Sequence, residues 1–153
     1  MKKLELLIPP VIVFLFVGIL MWLVAYFMPD HQFEFRYQYM LVIDFVFVGA
    51  VIALFGVVGF RQAKTTVNPM TPEKSETLVN QGVYSYTRNP MYLGMALVLV
   101  GLVFLLGNWM TLVGIPVFVV YMTYFQIKPE ERVLEQKFGE DFHLYVQKVR
   151  RWI

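Results

Sequence analysis

Four apolar runs constrain this chain more than any other feature: about residues 6–28, 39–60, 91–106 and 109–127. A helix needs roughly 20 apolar residues to cross a bilayer's hydrocarbon core. Hydrophobic residues make up 58% of the sequence and charged ones 16%, against roughly 45–50% and about 25% in soluble domains. The excess sits in the four runs. The expected fold is therefore all-α: a polytopic membrane helical bundle of about four transmembrane helices plus a C-terminal amphipathic helix, in one membrane domain spanning 1–153. The third run is near the short limit, so runs three and four are expected to form a helical hairpin around Gly107-Asn108.

The opening Met1-Lys2-Lys3 leads into a transmembrane helix rather than a signal peptide. Glu5 interrupts the basic region, Pro9-Pro10 break the run early, and no small-x-small cleavage site follows. Residues 61–90 form the longest polar stretch, and a loop of that length is usually functional. Within it, Thr71-Pro72-Glu73-Lys74 has a capping residue before proline, which predicts a short helix over Pro72 to Asn80. Pro129 opens a polar helix over 129–149, with Leu134, Phe138, Phe142, Tyr145 and Val149 on one stripe and Gly139 as a place to kink. Arg150-Arg151-Trp152 reads as an interfacial anchor, cations for headgroups and an indole for the boundary.

Basic residues set the expected topology. Lys2, Lys3, Arg61, Lys64, Lys74 and Arg88 share one side with Lys128, Arg132, Lys137, Lys148, Arg150 and Arg151, and only Arg36 lies opposite. The positive-inside rule then puts both termini and the long loop in the cytoplasm of a prokaryotic inner (cell) membrane.

Several chemistries are excluded. A net charge of +2, with no basic stripe interleaved with aromatics, gives no nucleic-acid footprint. Without cysteine there is no disulfide, thiolate ligand or thiol nucleophile. His31 and His143 stand too far apart for a histidine metal site, and no HExxH occurs, so no metal is expected.

What remains is a pair of polar clusters at the ends of the hairpin. Arg61 closes the second run; it is either a snorkelling anchor or an anion clamp. Gly82-Val83-Tyr84 and Arg88-Asn89-Pro90 lead into the third run. Asn89 and Pro90 suit a helix start, and a helix start leaves N–H groups for an anion. Tyr92 lies one turn in. Glu130 and Glu131 either favour the dipole of the polar helix or hold a ligand hydroxyl or ammonium. Asp44 lies near the outer end of the second run and reads as interfacial, as do Trp22 and Trp109.

Taken together, Leu78-Val79-Asn80-Gln81-Gly82-Val83-Tyr84, Arg88 to Gly94, and Glu130-Glu131 through Phe138-Gly139-Glu140-Asp141-Phe142 resemble the isoprenylcysteine carboxyl methyltransferases and the related phospholipid N-methyltransferases. The resemblance covers roughly residues 60 to 150. It implies a membrane enzyme using S-adenosylmethionine without a soluble Rossmann core. It implies that Leu78, Val79, Gly82, Val83, Tyr84, Arg88, Asn89, Pro90 and Tyr92 line the cofactor, and that Glu130 or Glu131 closes it. It places Arg61 where an arginine orients the acceptor, so Arg61 and Tyr92 are the catalytic candidates. Asn89 stands where many members have histidine, Phe142 where they have tyrosine, and the chain has fewer spans. These departures bear on the acceptor more than on the chemistry.

Methyl transfer suits such a composition. The sulfonium donor is already activated, so alignment and a water-poor site supply the rate rather than acid–base groups. The implied acceptor is a lipidic or small hydrophobic molecule drawn from the bilayer. Two other readings compete: an NADPH-dependent membrane reductase of related outline, and a non-enzymatic membrane scaffold or transport protein.

Overall fold

The computed structural model describes residues 5–63 and 70–153. Lys2, Lys3 and Lys64, which support the expected topology, lie outside them. The described residues contain no β-strand, only an isolated bridge between Gln32 and Asn108. The helices are α1 (Pro10–Phe27), α2 (Gln38–Gln62), α3 (Pro90–Leu106), α4 (Gly114–Tyr121), α5 (Lys128–Phe138) and α6 (Glu140–Lys148).

Three helical stretches, Pro10–Phe27, Gln38–Gln62 and Trp109–Phe138, are long and apolar enough to cross a membrane, and Pro90–Leu106 is a shorter apolar helix. Their outward faces are hydrocarbon-like. Phe47 is 67% exposed and Leu54 63%. A continuous surface of that kind marks contact with lipid. The protein is an integral membrane protein.

Lipid tails give no hydrophobic drive between helices, so close packing must do the work. The α2–α3 pair shows how. A Cβ on Gly49 would lie 2.6 Å from the Gly94 carbonyl oxygen, one on Gly56 would lie 2.9 Å from Met91 Cγ, and one on Gly101 would lie 3.1 Å from Val46 Cγ2. Glycine at these positions lets the two backbones touch. On the other side, α1 packs on α3 and α4 through Val13, Val17 and Met21, which join Leu99, Val103, Phe118 and Met122 in the core.

Buried polar side chains brace the end opposite the long loop. Gly107 takes φ +56, its N–H closes α3 onto Val103 O at 3.0 Å, and an added Cβ would meet Phe33 O at 2.9 Å. Asn108 is fully buried; its amide donates to Met28 O at 2.7 Å, and its Oδ1 accepts from Met110 N at 2.9 Å. Gln38 Nε2 donates to Phe104 O at 2.6 Å. These bonds satisfy helix-end carbonyls that hydrocarbon would leave unpaired.

Pro129 does not start a separate helix. The chain runs helically from Trp109 to Phe138, with a π-helical segment at Met122–Ile127. Proline has no N–H to give residue i−4 and its ring crowds that carbonyl. The freed carbonyl is that of Phe125, and Leu6 N–H donates to it at 3.0 Å. A π segment absorbs the crowding without breaking the rod. The break comes ten residues later, at Gly139, where φ is +49. The expected helix over 129–149 is thus two helices.

Two further expectations need correction. The first helix begins at Pro10; Leu6, with φ 54, lies in the segment tied to Phe125. The helix predicted over Pro72 to Asn80 is only a 3-10 turn, Pro72–Lys74, with no side-chain cap from Thr71. The Ser75–Asn80 segment then runs without helix, because Leu78 is drawn against Phe142, Tyr145 and Val149 and Val79 against Gly59 of α2.

Gly49→Ala should lower the thermal midpoint in detergent, at a cost of about 1–3 kcal/mol for overpacking. Gly18→Ala, whose new methyl first meets Leu102 Cδ2 at 3.5 Å, should change it little. Equal midpoints for the two variants would contradict a glycine-mediated α2–α3 contact.

Candidate functional site

The described part of the long loop from residue 70 on, the start of α3 and the α5–α6 arm meet at one end of the bundle. The meeting is organised by carboxylates. Glu130 is half-buried on the first turn of α5. Tyr92, buried on the first turn of α3, donates its hydroxyl to Glu130 Oε1 at 2.6 Å. Gln126, buried in the π segment one turn earlier, donates its amide to the same oxygen. A carboxylate in a low-dielectric setting needs such donors.

Glu131 faces a different set. Arg151 Nε reaches its Oε1 at 3.0 Å and Nη2 its Oε2 at 2.6 Å, while Arg88 Nη1 approaches Oε1 at 3.2 Å. The residues after α6 therefore fold back onto the approach to α3. Arg88 N–H donates to Arg150 O at 3.0 Å, and Asn89 Nδ2 to Arg151 O at 2.9 Å. Trp152 Nε1 donates to Thr123 Oγ1 at 3.1 Å. This hook replaces the expected interfacial anchor: its indole packs on the core and its guanidinium binds within the protein.

The hook also explains Asn89. It occupies the cap position of α3, but its side chain makes no cap bond and serves the hook instead. Pro90 fills the first helical position and lies buried against Gly56.

A cavity of about 90 Å³ lies among these elements. Leu78, Val79, Tyr84, Arg88, Asn89, Tyr92, Glu130 and Glu131 all line it. Gly82 and Val83 line a neighbouring cleft of about 380 Å³, on the other side of Leu78 and Val79. Pro90 does not line it. Arg61 is exposed and does not line it, although the preceding Phe60 does. A wider cleft of about 800 Å³ shares Thr77, Leu78 and Tyr145 with the cavity, so the Thr77-Leu78 stretch is the partition between them.

Aromatic rings make up much of the wall. Phe60 meets Tyr84 edge-on at 5.2 Å. Tyr84 donates to Gly56 O at 3.3 Å, and Tyr145 to Tyr84 O at 2.8 Å. Burial raises both phenols well above their ordinary value; Tyr145 and Glu130 add to the rise at Tyr84. Both therefore stay neutral donors. Burial also pulls Arg88 down, opposed by Glu131, while Arg151 is raised chiefly by its hydrogen bonds to Glu131.

Sequence reading did not mark Gln126, Leu134, Phe142, Tyr145 or Arg151 as site residues. Leu134, Phe142 and Tyr145 were visible as an apolar stripe that could as well have met lipid. For Gln126 a signal existed: an amide in an apolar run, four residues before a glutamate, shares its helix face. Among the described residues no cluster of histidine, aspartate and glutamate could hold a metal.

Comparison with known proteins is consistent with this geometry. Residues 37–141 match the phospholipid methyltransferase family. An uncharacterized protein of Haemophilus influenzae is 43% identical over 63 residues, which cover 41% of this chain and all of that protein. No solved structure matches the chain.

Asn89→Ala should release the hook. Hydrogen exchange at residues 150–152 and at the Arg88 amide should accelerate, as expected for losing a bond worth about 0.5–1.5 kcal/mol, with helical circular dichroism unchanged. Unaltered exchange would mean that Asn89 does not hold this segment.

Proposed function

The chain belongs to the phospholipid methyltransferase family, and from that premise we propose that it transfers a methyl group from S-adenosylmethionine to a lipidic or small hydrophobic acceptor at the cytoplasmic membrane face. The observation that carries this reading is the convergence of Tyr92, Glu130, Glu131 and Arg88 on one aromatic-walled cavity at the polar end of the bundle.

The chemistry of the wall fits part of such a donor, whose remainder would occupy the adjoining cleft of about 800 Å³. Arg88 Nε is buried with no hydrogen-bond partner among the described residues, which suits an incoming carboxylate. The Tyr84 and Tyr92 rings suit a sulfonium, with a cation–π contribution of about 0.5–2 kcal/mol. Glu130, whose Oε1 alone is used by Tyr92 and Gln126, suits a ribose hydroxyl or an ammonium, while Glu131 stays with the two guanidinium groups. When bound, the donor supplies an activated methyl group with a neutral leaving group. The protein's part is then alignment and exclusion of water. Tyr92 and Gln126 fix Glu130, the Thr77-Leu78 partition covers the cavity, and Phe60, Met91, Leu134 and Phe142 keep the wall apolar.

Arg61 follows Phe60 on the last turn of α2. We assign it to the acceptor, as an exposed guanidinium that orients a polar headgroup while the apolar part stays in the bilayer. We assign this end of the bundle, and both termini, to the cytoplasm, a reading that the excess of lysine and arginine on this side supports.

Calorimetry on the detergent-purified protein should show binding of S-adenosylhomocysteine and none of NADPH. Tyr92→Phe should weaken that binding by roughly tenfold, the loss of one charge-assisted hydrogen bond. Arg61→Ala should lower turnover of a radiolabelled methyl donor more than it lowers donor affinity. Binding of NADPH alone would favour a reductase, and binding of neither a non-enzymatic role.

A further inference from the structure

Glu131 is surrounded by two guanidinium groups, so the cluster carries an excess positive charge. Arg151 alone satisfies both carboxylate oxygens, through Nε at 3.0 Å and Nη2 at 2.6 Å. Arg88 is the more enclosed of the two cations, its side chain 9% exposed against 32% for Arg151. Yet Arg88 makes only one contact with Glu131, at 3.2 Å, and its Nε has no partner among the described residues. A buried charged donor without an acceptor is costly, and its persistence calls for an explanation.

The backbone supplies part of that explanation. Arg88 is held from outside the cavity, its N–H bonded to Arg150 O. Its neighbours Thr87 and Asn89 both donate to Arg151 O, at 3.4 and 2.9 Å. Arg88 is thus fixed at its backbone, while its planar fork is not committed to Glu131. A guanidinium fork in that condition matches a carboxylate or phosphate.

We infer that Arg151 is a positioning residue: by holding both oxygens of Glu131, it keeps Arg88 available to bind an anionic group of a ligand in the cavity. The inference rests on the donor reading, in which that group is the donor's carboxylate. Without the Arg151 side chain, Glu131 captures the Arg88 fork and the anion loses its partner. Loss of the side chain leaves the Arg151 carbonyl and the Trp152–Thr123 bond in place, so the hook itself survives.

The test uses the full chain in detergent and two probes, S-adenosylhomocysteine and 5′-methylthioadenosine, which lacks the amino-acid carboxylate. Arg151→Ala should weaken S-adenosylhomocysteine by about tenfold or more and leave methylthioadenosine affinity and the thermal midpoint nearly unchanged. Added guanidinium chloride at millimolar concentration should restore part of the loss. Glu131→Gln in the Arg151→Ala background should also restore part, because a neutral amide no longer captures Arg88. Equal weakening of both probes, or of neither, overturns the positioning role. Wild-type protein that binds neither probe sinks the donor reading, and the inference with it.

Discussion

A carboxylate placed at the edge of hydrocarbon must be met by donors, and this requirement organises the polar end of the molecule. Glu130 draws Tyr92 from 38 residues away and Gln126 from the preceding turn. Bringing Tyr92 to that point fixes where α3 begins, and therefore where the loop before it must lie. The same logic governs Glu131, whose two oxygens gather the approach to α3 and the segment after α6. Because these partners are distant in sequence, the acidic pair joins three parts of the chain into one wall.

The frame under that wall is stiff for separate reasons. Glycine contacts bring α2 and α3 to backbone contact, and Asn108 with Gln38 closes the opposite end. The π segment before Pro129 lets one helical rod run from the apolar bundle into the polar arm, so α5 inherits its direction from α4. By contrast, Glu76–Asn80 lies outside any helix, and its Thr77-Leu78 stretch partitions two clefts. A firm scaffold beside a strap without regular structure is the arrangement expected where a ligand must be admitted and then enclosed.

Much of this was legible in the residues, and the failures have physical causes. The apolar runs show as helices because length and hydropathy leave a membrane chain few choices. Tyr92 and the Glu130-Glu131 pair could be assigned to one site because their motifs stand at the two ends of the hairpin, but which glutamate meets Tyr92 is decided by tertiary packing. Thr71-Pro72 misled, since a start signal promotes a helix only if no stronger contact competes, and Leu78 packs on α6 and Val79 on α2 instead. Pro129 misled in the opposite direction: a vacant carbonyl was satisfied by Leu6, a partner no local pattern can reveal. Arg151 looked like a headgroup anchor because its partner, Glu131, is remote in sequence. The fold of the spans was local information; the hook and the strap were not.

The most direct test of the central claim is photolabelling with an azido-adenine analogue of S-adenosylmethionine, followed by peptide mapping. The account predicts label on the 75–79 strap or on the α5–α6 arm, suppressed by S-adenosylhomocysteine. Label that is confined to other segments, or that persists in the presence of the competitor, would contradict a single donor cavity formed by the loop, the start of α3 and the acidic turn of α5.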